Sequence, residues 1–156
     1  MKFNKLSLAG ALCAVGLLGN TSALALDTSV VPVTATVTGT CKFLTAGSIA
    51  FTLDQNATTD ASGTVSNPTF WCTKGSTYTV TDNSGANALA GARRMKNTTI
   101  ATEFIPYSFA YTTTGLGTGK TTPITLTLSA ATITNANYVN AAAGSYADSV
   151  TLTINP

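Results

Sequence analysis

Histidine is absent from the 156 residues, and charge is scarce: Lys and Arg together number 8, Asp and Glu 6, or 9% of the chain. Soluble proteins ordinarily carry about a quarter of their residues charged. Without histidine the commonest general base and the commonest metal ligand are both missing. A hydrolase would need a nucleophile paired with a base, or two facing carboxylates. Asp54, Asp60 and Asp82 fall beside turn sequences, where aspartate serves the local backbone, and Asp148 falls on the polar side of the last alternating run. No enzyme activity, cofactor or metal site is expected from this inventory.

No apolar run is long enough to cross a membrane. The N-terminal apolar stretch, Leu6–Leu18, carries no charge, follows Met1-Lys2-Phe3-Asn4-Lys5 and precedes Ala23-Leu24-Ala25. A spanning helix needs about 20 apolar residues. A basic start, a short apolar core and an Ala-x-Ala site instead mark residues 1–25 as a secretion signal. Cys13 lies inside that apolar core and does not fit a lipoprotein site.

With the signal removed, Lys42, Lys74, Arg93, Arg94, Lys96 and Lys120 stand against Asp27, Asp54, Asp60, Asp82, Glu103 and Asp148, a net charge of zero. No electrostatic footprint for nucleic acid or anionic lipid remains. The one basic cluster, Arg93-Arg94-x-Lys96, reads as a solvated edge strand. A surface built of Thr, Ser, Asn, Ala and Gly offers little repulsion between copies, which suits a subunit that packs against itself.

Of 3 cysteines, Cys41 and Cys72 remain. An even count in an exported chain predicts a disulfide. A metal pair lacks partner ligands and Cys-x-x-Cys spacing.

What is plentiful is alternation. Val31, Val33, Ala35 and Val37 alternate with Pro32, Thr34, Thr36 and Thr38; Ile49, Phe51 and Leu53, Tyr107, Phe109 and Tyr111, Ile124, Leu126 and Leu128, and Val150, Leu152 and Ile154 do the same. Phe70-Trp71-Cys72 and Tyr78-Thr79-Val80 complete the set. Period two with β-branched and aromatic residues is the strand signal. Turn sequences such as Lys74-Gly75-Ser76 and Asp82-Asn83-Ser84-Gly85 separate the runs. About seven short strands predict one all-β domain, an antiparallel immunoglobulin-like sandwich. Residues 135–144, rich in Asn, read as an irregular loop.

Two local patterns invite other readings. Gly115-Leu116-Gly117-Thr118-Gly119-Lys120-Thr121 resembles a phosphate loop, yet Thr114 stands where glycine is required and a strand follows instead of a helix. It reads as an inter-strand loop. Trp71, Tyr78, Tyr107, Tyr111, Tyr138 and Tyr146 could stack sugars, but aromatics on alternating strands more often face a core. Asn56-Ala57-Thr58 and Asn97-Thr98-Thr99 read as turns.

The ordered set Val33-Thr-Ala-Thr-Val-Thr-Gly-Thr-Cys41, Ile49-Ala-Phe-Thr-Leu-Asp54, Phe70-Trp71-Cys72, Asp82-Asn-Ser-Gly85, Ala92-Arg-Arg-Met95, Ile105-Pro-Tyr-Ser-Phe-Ala-Tyr111 and Gly144-Ser-Tyr-Ala-Asp148 resembles the spore coat protein U domain family. Members of that family include subunits of archaic chaperone–usher pili. The loop after Tyr111 departs from the family in lacking a Trp and an Asp near its glycines. The resemblance implies a sandwich lacking one strand, completed by a donor strand. It divides the chain into a signal (1–25), an N-terminal donor segment (26–40) and a β-sandwich domain (41–156). Val31, Val33, Ala35 and Val37 would be the donor's inward side chains, unless this segment is the first strand of its own sandwich. The implied partners are identical or related subunits, a periplasmic chaperone and an outer-membrane usher. The implied place is the surface of a Gram-negative bacterium, in a fimbria serving adhesion or biofilm formation. An adhesin module for a glycan or an abiotic surface, or a spore or cyst coat component, is the alternative.

Overall fold

A computed structural model describes residues 26–156; the expected secretion signal, 1–25, lies outside them. The chain divides between Ala35 and Thr36. Residues 26–35 form no helix or strand, and their side chains are exposed.

Residues 36–156 are nearly all β. The strands, in order, are β1 (Cys41–Thr45), β2 (Ser48–Ala50), β3 (Ala61–Ser62), β4 (Thr64–Ser66), β5 (Thr69–Cys72), β6 (Thr77–Asp82) and β7 (Arg94–Asn97). After them come β8 (Phe104–Pro106), β9 (Ser108–Tyr111), β10 (Thr114–Leu116), β11 (Ile124–Thr125), β12 (Leu128–Ile133), the short helix α1 (Asn135–Tyr138), β13 (Tyr146–Ala147) and β14 (Leu152–Asn155).

Short as these strands are, their registers join them into long antiparallel ladders. Cys41↔Cys72 and Phe43↔Phe70 in β1–β5 continue, past a bulge, into Ser48↔Ser66 and Ala50↔Thr64 in β2–β4. Residues 61–72 then pair on their other side with 124–133, from Ile124↔Phe70 to Ile133↔Ala61; Leu126 and Gly63 bridge the gap by donating to the carbonyls of Pro68 and Ala131. β12 pairs β9 through Leu128↔Tyr111. The run 104–116 next crosses to the second sheet, β8 pairing β7 and β10 pairing β6. The last run closes that sheet: Tyr146↔Asn97 in β13–β7, Leu152↔Asp82 in β14–β6, with the Asn83 and Ala86 amides donating to Thr151 and Ser149 between them. The expected antiparallel sandwich is therefore the fold, and its ladder does not close into a barrel.

Alternation supplies the core. Phe70 and Cys72 from β5, Tyr78 and Val80 from β6, Phe109 from β9 and Leu126 and Leu128 point inward and are buried. Ile105, Ile133 and Tyr138 bury a second cluster at one end. Each such side chain contributes on the order of 1.5–3 kcal/mol by leaving water. Phe70 sits edge-on to both Phe43 and Tyr78, at 5.8 and 5.0 Å; such pairs add to area burial.

Three expectations need correction. Residues 135–138 are helical rather than irregular, because the buried Tyr138, whose hydroxyl donates to the Thr59 carbonyl, anchors the turn to the sandwich. Arg94–Asn97 is an interior strand between β13 and β8, not a solvated edge. Thr114–Leu116, within the glycine-rich loop, is a strand on β6, and Gly117 is buried against Cys72 and Thr73, where no Cβ fits.

Candidate functional site: an open groove between two edge strands

The strand order places residues 41–50 at one end of the ladder and 146–155 at the other. Among the described residues neither run has a ladder partner on its outer side. A cleft of about 790 Å³ opens between them. Phe43, Ile49 and Phe51 line one wall, Val150 and Leu152 the other, and Tyr107, Phe109 and Leu128 lie beneath. Burial alternates along the second wall and, on the first, on either side of the exposed run 44–48. Phe43, Ile49, Phe51, Tyr146, Val150 and Leu152 are half-buried, while Leu44, Ala50, Ala147, Ser149 and Thr151 are exposed. Each wall thus turns an apolar row toward the core but leaves it partly uncovered. Unpaired edges and an uncovered apolar row form a docking geometry for one more β-strand.

The groove narrows at the disulfide end. There Cys41 and Cys72 are bonded, sulfur to sulfur at 2.02 Å, between directly paired residues of β1 and β5. The predicted disulfide is present. A Cβ at Gly39 would come within 3.5 Å of the Pro156 side chain, so the start of one wall and the end of the other meet here. The Thr40 amide donates to Thr73 Oγ1, at 3.0 Å, and the Thr73 amide donates to the Thr40 carbonyl, at 2.9 Å.

Polar side chains hold the second wall. Asp148, expected on the polar face, is half-buried: Oδ2 accepts the Tyr107 hydroxyl at 2.7 Å, and Oδ1 accepts the Asn87 backbone and side-chain amides at 3.0 and 3.1 Å. This carboxylate pins the edge strand to the groove floor and to the 83–87 loop. Gly85 makes room for it: a Cβ there would collide with the Asp148 carboxylate, and its φ of 97° favours glycine in any case.

Beside it, Asp82 Oδ2 accepts Arg93 Nη2 and the Tyr111 hydroxyl, both at 2.6 Å, while Oδ1 accepts the Ser84 amide at 2.6 Å. Arg93 also donates to the Phe109 carbonyl and lies 4.1 Å from the centre of the Phe109 ring. The Ser84 amide on Asp82 is the turn contact that the sequence predicts, whereas Arg93 is not solvated as predicted; the partners that bury the pair lie 11 to 29 positions away in the chain, beyond the reach of any local pattern. Burial opposes ionisation of Asp82, but the hydrogen bonds from Tyr111, Ser84 and Arg93, with the Arg93 charge, outweigh it and hold the carboxyl below its ordinary range. Burial and the hydrogen bond to Asp82 push the Tyr111 phenol up to about 12. Burial, then Asp148, raises the Tyr107 phenol as well.

Of the other candidate residues, Trp71, Tyr78, Tyr107, Tyr111, Tyr138 and Tyr146 do not share a platform: Tyr78 and Tyr138 are buried in different clusters, and Trp71, Tyr107, Tyr111 and Tyr146 are partly buried, on β5, between β8 and β9, on β9 and on β13. Asn97 is buried and its Oδ1 accepts the Thr99 and Ile100 amides, closing the expected turn. Val31 and Val33 are 77% and 91% exposed, Val37 is 81% exposed, Ala35 is likewise exposed, and none of the four is in a strand. Among the described residues no helix is long and apolar enough to cross a membrane.

Comparison with curated proteins gave no match. A family model, the Spore Coat Protein U domain, matches residues 27–153, which takes in the first wall of the groove, the second as far as Thr153, the disulfide and the Asp82–Arg93 and Asp148 networks. The chain belongs to the Spore Coat Protein U domain family.

Proposed function

We propose that this chain is a structural, non-catalytic subunit of a chaperone–usher type surface fibre, and that copies are joined when the N-terminal segment of one fills the groove of the next. The observation that supports this reading most directly is the groove, with a half-buried apolar row on each wall and no ladder partner on either outer edge among the described residues. The segment 26–40 has the complementary pattern. Val31, Val33, Ala35 and Val37 would face the core of the recipient, and Thr34, Thr36 and Thr38 would face water. Burying three valines and an alanine would yield on the order of 5–9 kcal/mol, reduced by the cost of ordering the segment. Before assembly a periplasmic chaperone would cover the groove, and an outer-membrane usher would exchange that cover for the next subunit. The product would be a fimbria supporting adhesion or biofilm formation.

The decisive test separates donor from acceptor. A chain lacking Leu26–Thr38 is expected to be secreted and to bind a peptide of that sequence, yet to form no fibres by electron microscopy. Fibres of normal length from that variant would refute the donor assignment. A full-length chain that unfolds cooperatively as a lone monomer, indifferent to added peptide, would refute the incomplete domain.

A further inference from the structure

The charges of residues 36–156 are sorted by position. Lys42, Lys74 and Lys120 all sit at the disulfide end and are exposed. Lys42 pairs with Trp71 beside Cys72, Lys74 follows Thr73, and Lys120 follows Gly119, whose amide donates to the Cys72 carbonyl and whose Cβ position lies 3.7 Å from the Lys74 Cβ. Asp54, Asp60 and Glu103 sit at the other end. Asp54 caps the Asn56 amide, Asp60 Oδ1 accepts the Asn135 amide, and Glu103 closes the turn that follows β7. Lys96 lies there too, and the Arg94 guanidinium, 3.9 Å from the centre of the Phe104 ring beside Glu103, is close by, so the unopposed negative charge is that of Asp54 and Asp60. Between the ends, Arg93 and Asp82 form the sole ion pair among the described residues, with Asp148 beside them. The domain is positive at one end and negative at the other, although nearly neutral in sum.

Ten residues of strand, roughly 33 Å, separate the two ends. The Debye length at physiological ionic strength is about 8 Å, so the two sets do not interact within one copy. Held apart in this way, they add little to the stability of a single domain. They do distinguish between the two ways in which copies could be strung. The N-terminal segment leaves the domain at the positive, disulfide end. Entering a second copy's groove from that copy's own disulfide end would set three lysines against three lysines. Entering from the far end sets them against Asp54 and Asp60. The first arrangement closes on itself as a two-fold pair; the second propagates.

Resting on the fibre reading above, we infer that the partner of the disulfide end is the acidic end of a second copy of this chain, with Lys74 and Lys120 of one subunit facing Asp54 and Asp60 of the neighbour. This charge contact sets the polarity of the polymer and forbids head-to-head pairing. Exposed opposite charges act mainly on encounter and orientation, and salt weakens them.

Zero-length carbodiimide coupling joins an amine only to a carboxylate in contact with it. In fibres sheared from cells that make the full chain, Lys74 or Lys120 is expected to couple to Asp54 or Asp60; the length of the domain makes every such product intermolecular. The double variant K74E/K120E is expected to lose the products and to assemble about fivefold more slowly at low salt. D54N/D60N keeps the local hydrogen bonds while removing the charge and is expected to slow assembly at low salt by a similar factor, so a loss of fold is told apart from a loss of contact. Salt at about 0.5 M should bring wild-type assembly down to the level of the variants. Fibres whose couplings never join these residues, or a K74E/K120E chain that assembles at the wild-type rate, would overturn the inference and leave the fibre reading standing. Cells that make no fibres at all would remove both.

Discussion

A handful of side chains decide how firmly the second groove wall is held. Asp82 is 9% exposed and Arg93 19%; removing the guanidinium leaves a carboxylate in a poor solvent with only the Tyr111 and Ser84 hydrogen bonds. Arg93→Met is expected to lower stability by about 2–4 kcal/mol, read as a shift in the urea midpoint of Trp71 fluorescence; the urea midpoints of all variants are compared with the groove filled by the Leu26–Thr38 peptide. The pH dependence follows from the same cluster. The Asp82 carboxyl titrates lower in the folded chain than in the unfolded one. Its contribution is therefore whole above the ordinary carboxylate pKa and is lost as pH falls through the folded value. Tyr111 behaves oppositely. Its phenol is raised to about 12, so its contribution is whole below pH of about 10 and fades as pH rises toward 12. Tyr111→Phe is expected to flatten the alkaline limb of a pH–stability curve, an effect on which a merely space-filling role for the ring would have no bearing.

At the scale of the element, the edge strand 41–50 is fastened by the Cys41–Cys72 bond. Closing a loop of 31 residues stabilises by about 3.5 kcal/mol on chain-entropy grounds. The C41S/C72S chain is expected to show a loss of that order in its urea midpoint and, by hydrogen exchange, faster opening of residues 41–50 than of the interior strand 77–82. A different outcome is expected from Gly85→Ala. It forces a Cβ into the Asp148 carboxylate at a positive φ, so protection should drop along 146–155 while 41–50 is unaffected.

The elements also show where sequence reading succeeds. Runs such as Thr77–Asp82 are legible because one face meets the core and the other meets water, which writes period two into the residues themselves. Arg94–Asn97 is legible as a strand but not as an interior one, because Arg94 packs over the Phe104 ring, Met95 and Lys96 are half-buried, and Asn97 is buried for its hydrogen bonds; its charges mimic a solvated edge. The disulfide could be read from parity alone. The groove itself could not be, since an absent neighbour leaves no mark on the residues that would touch it. Only the resemblance pointed there, and the half-buried rows at Phe43, Ile49, Val150 and Leu152 give that expectation a location.

For the whole molecule, the donor pattern carries its own prediction. Val33→Asp places a charge on the face of the segment that is proposed to enter the groove, without altering the groove itself, and burying an unpaired carboxylate costs several kcal/mol. Such a chain is expected to accept a donor but not to serve as one. Mixed with wild type it should shorten fibres in proportion to its share, as measured from electron micrographs. The disulfide takes on a further meaning if copies are strung through their N-terminal segments. Tension on the filament reaches each domain at Thr40 and passes into Cys41, the first residue of an edge strand held by a single ladder. Pulled there, such a strand would peel away one hydrogen bond at a time. The covalent link diverts the load at once to Cys72, in a strand flanked by neighbours on both sides, so the force must shear a sheet rather than unzip its margin.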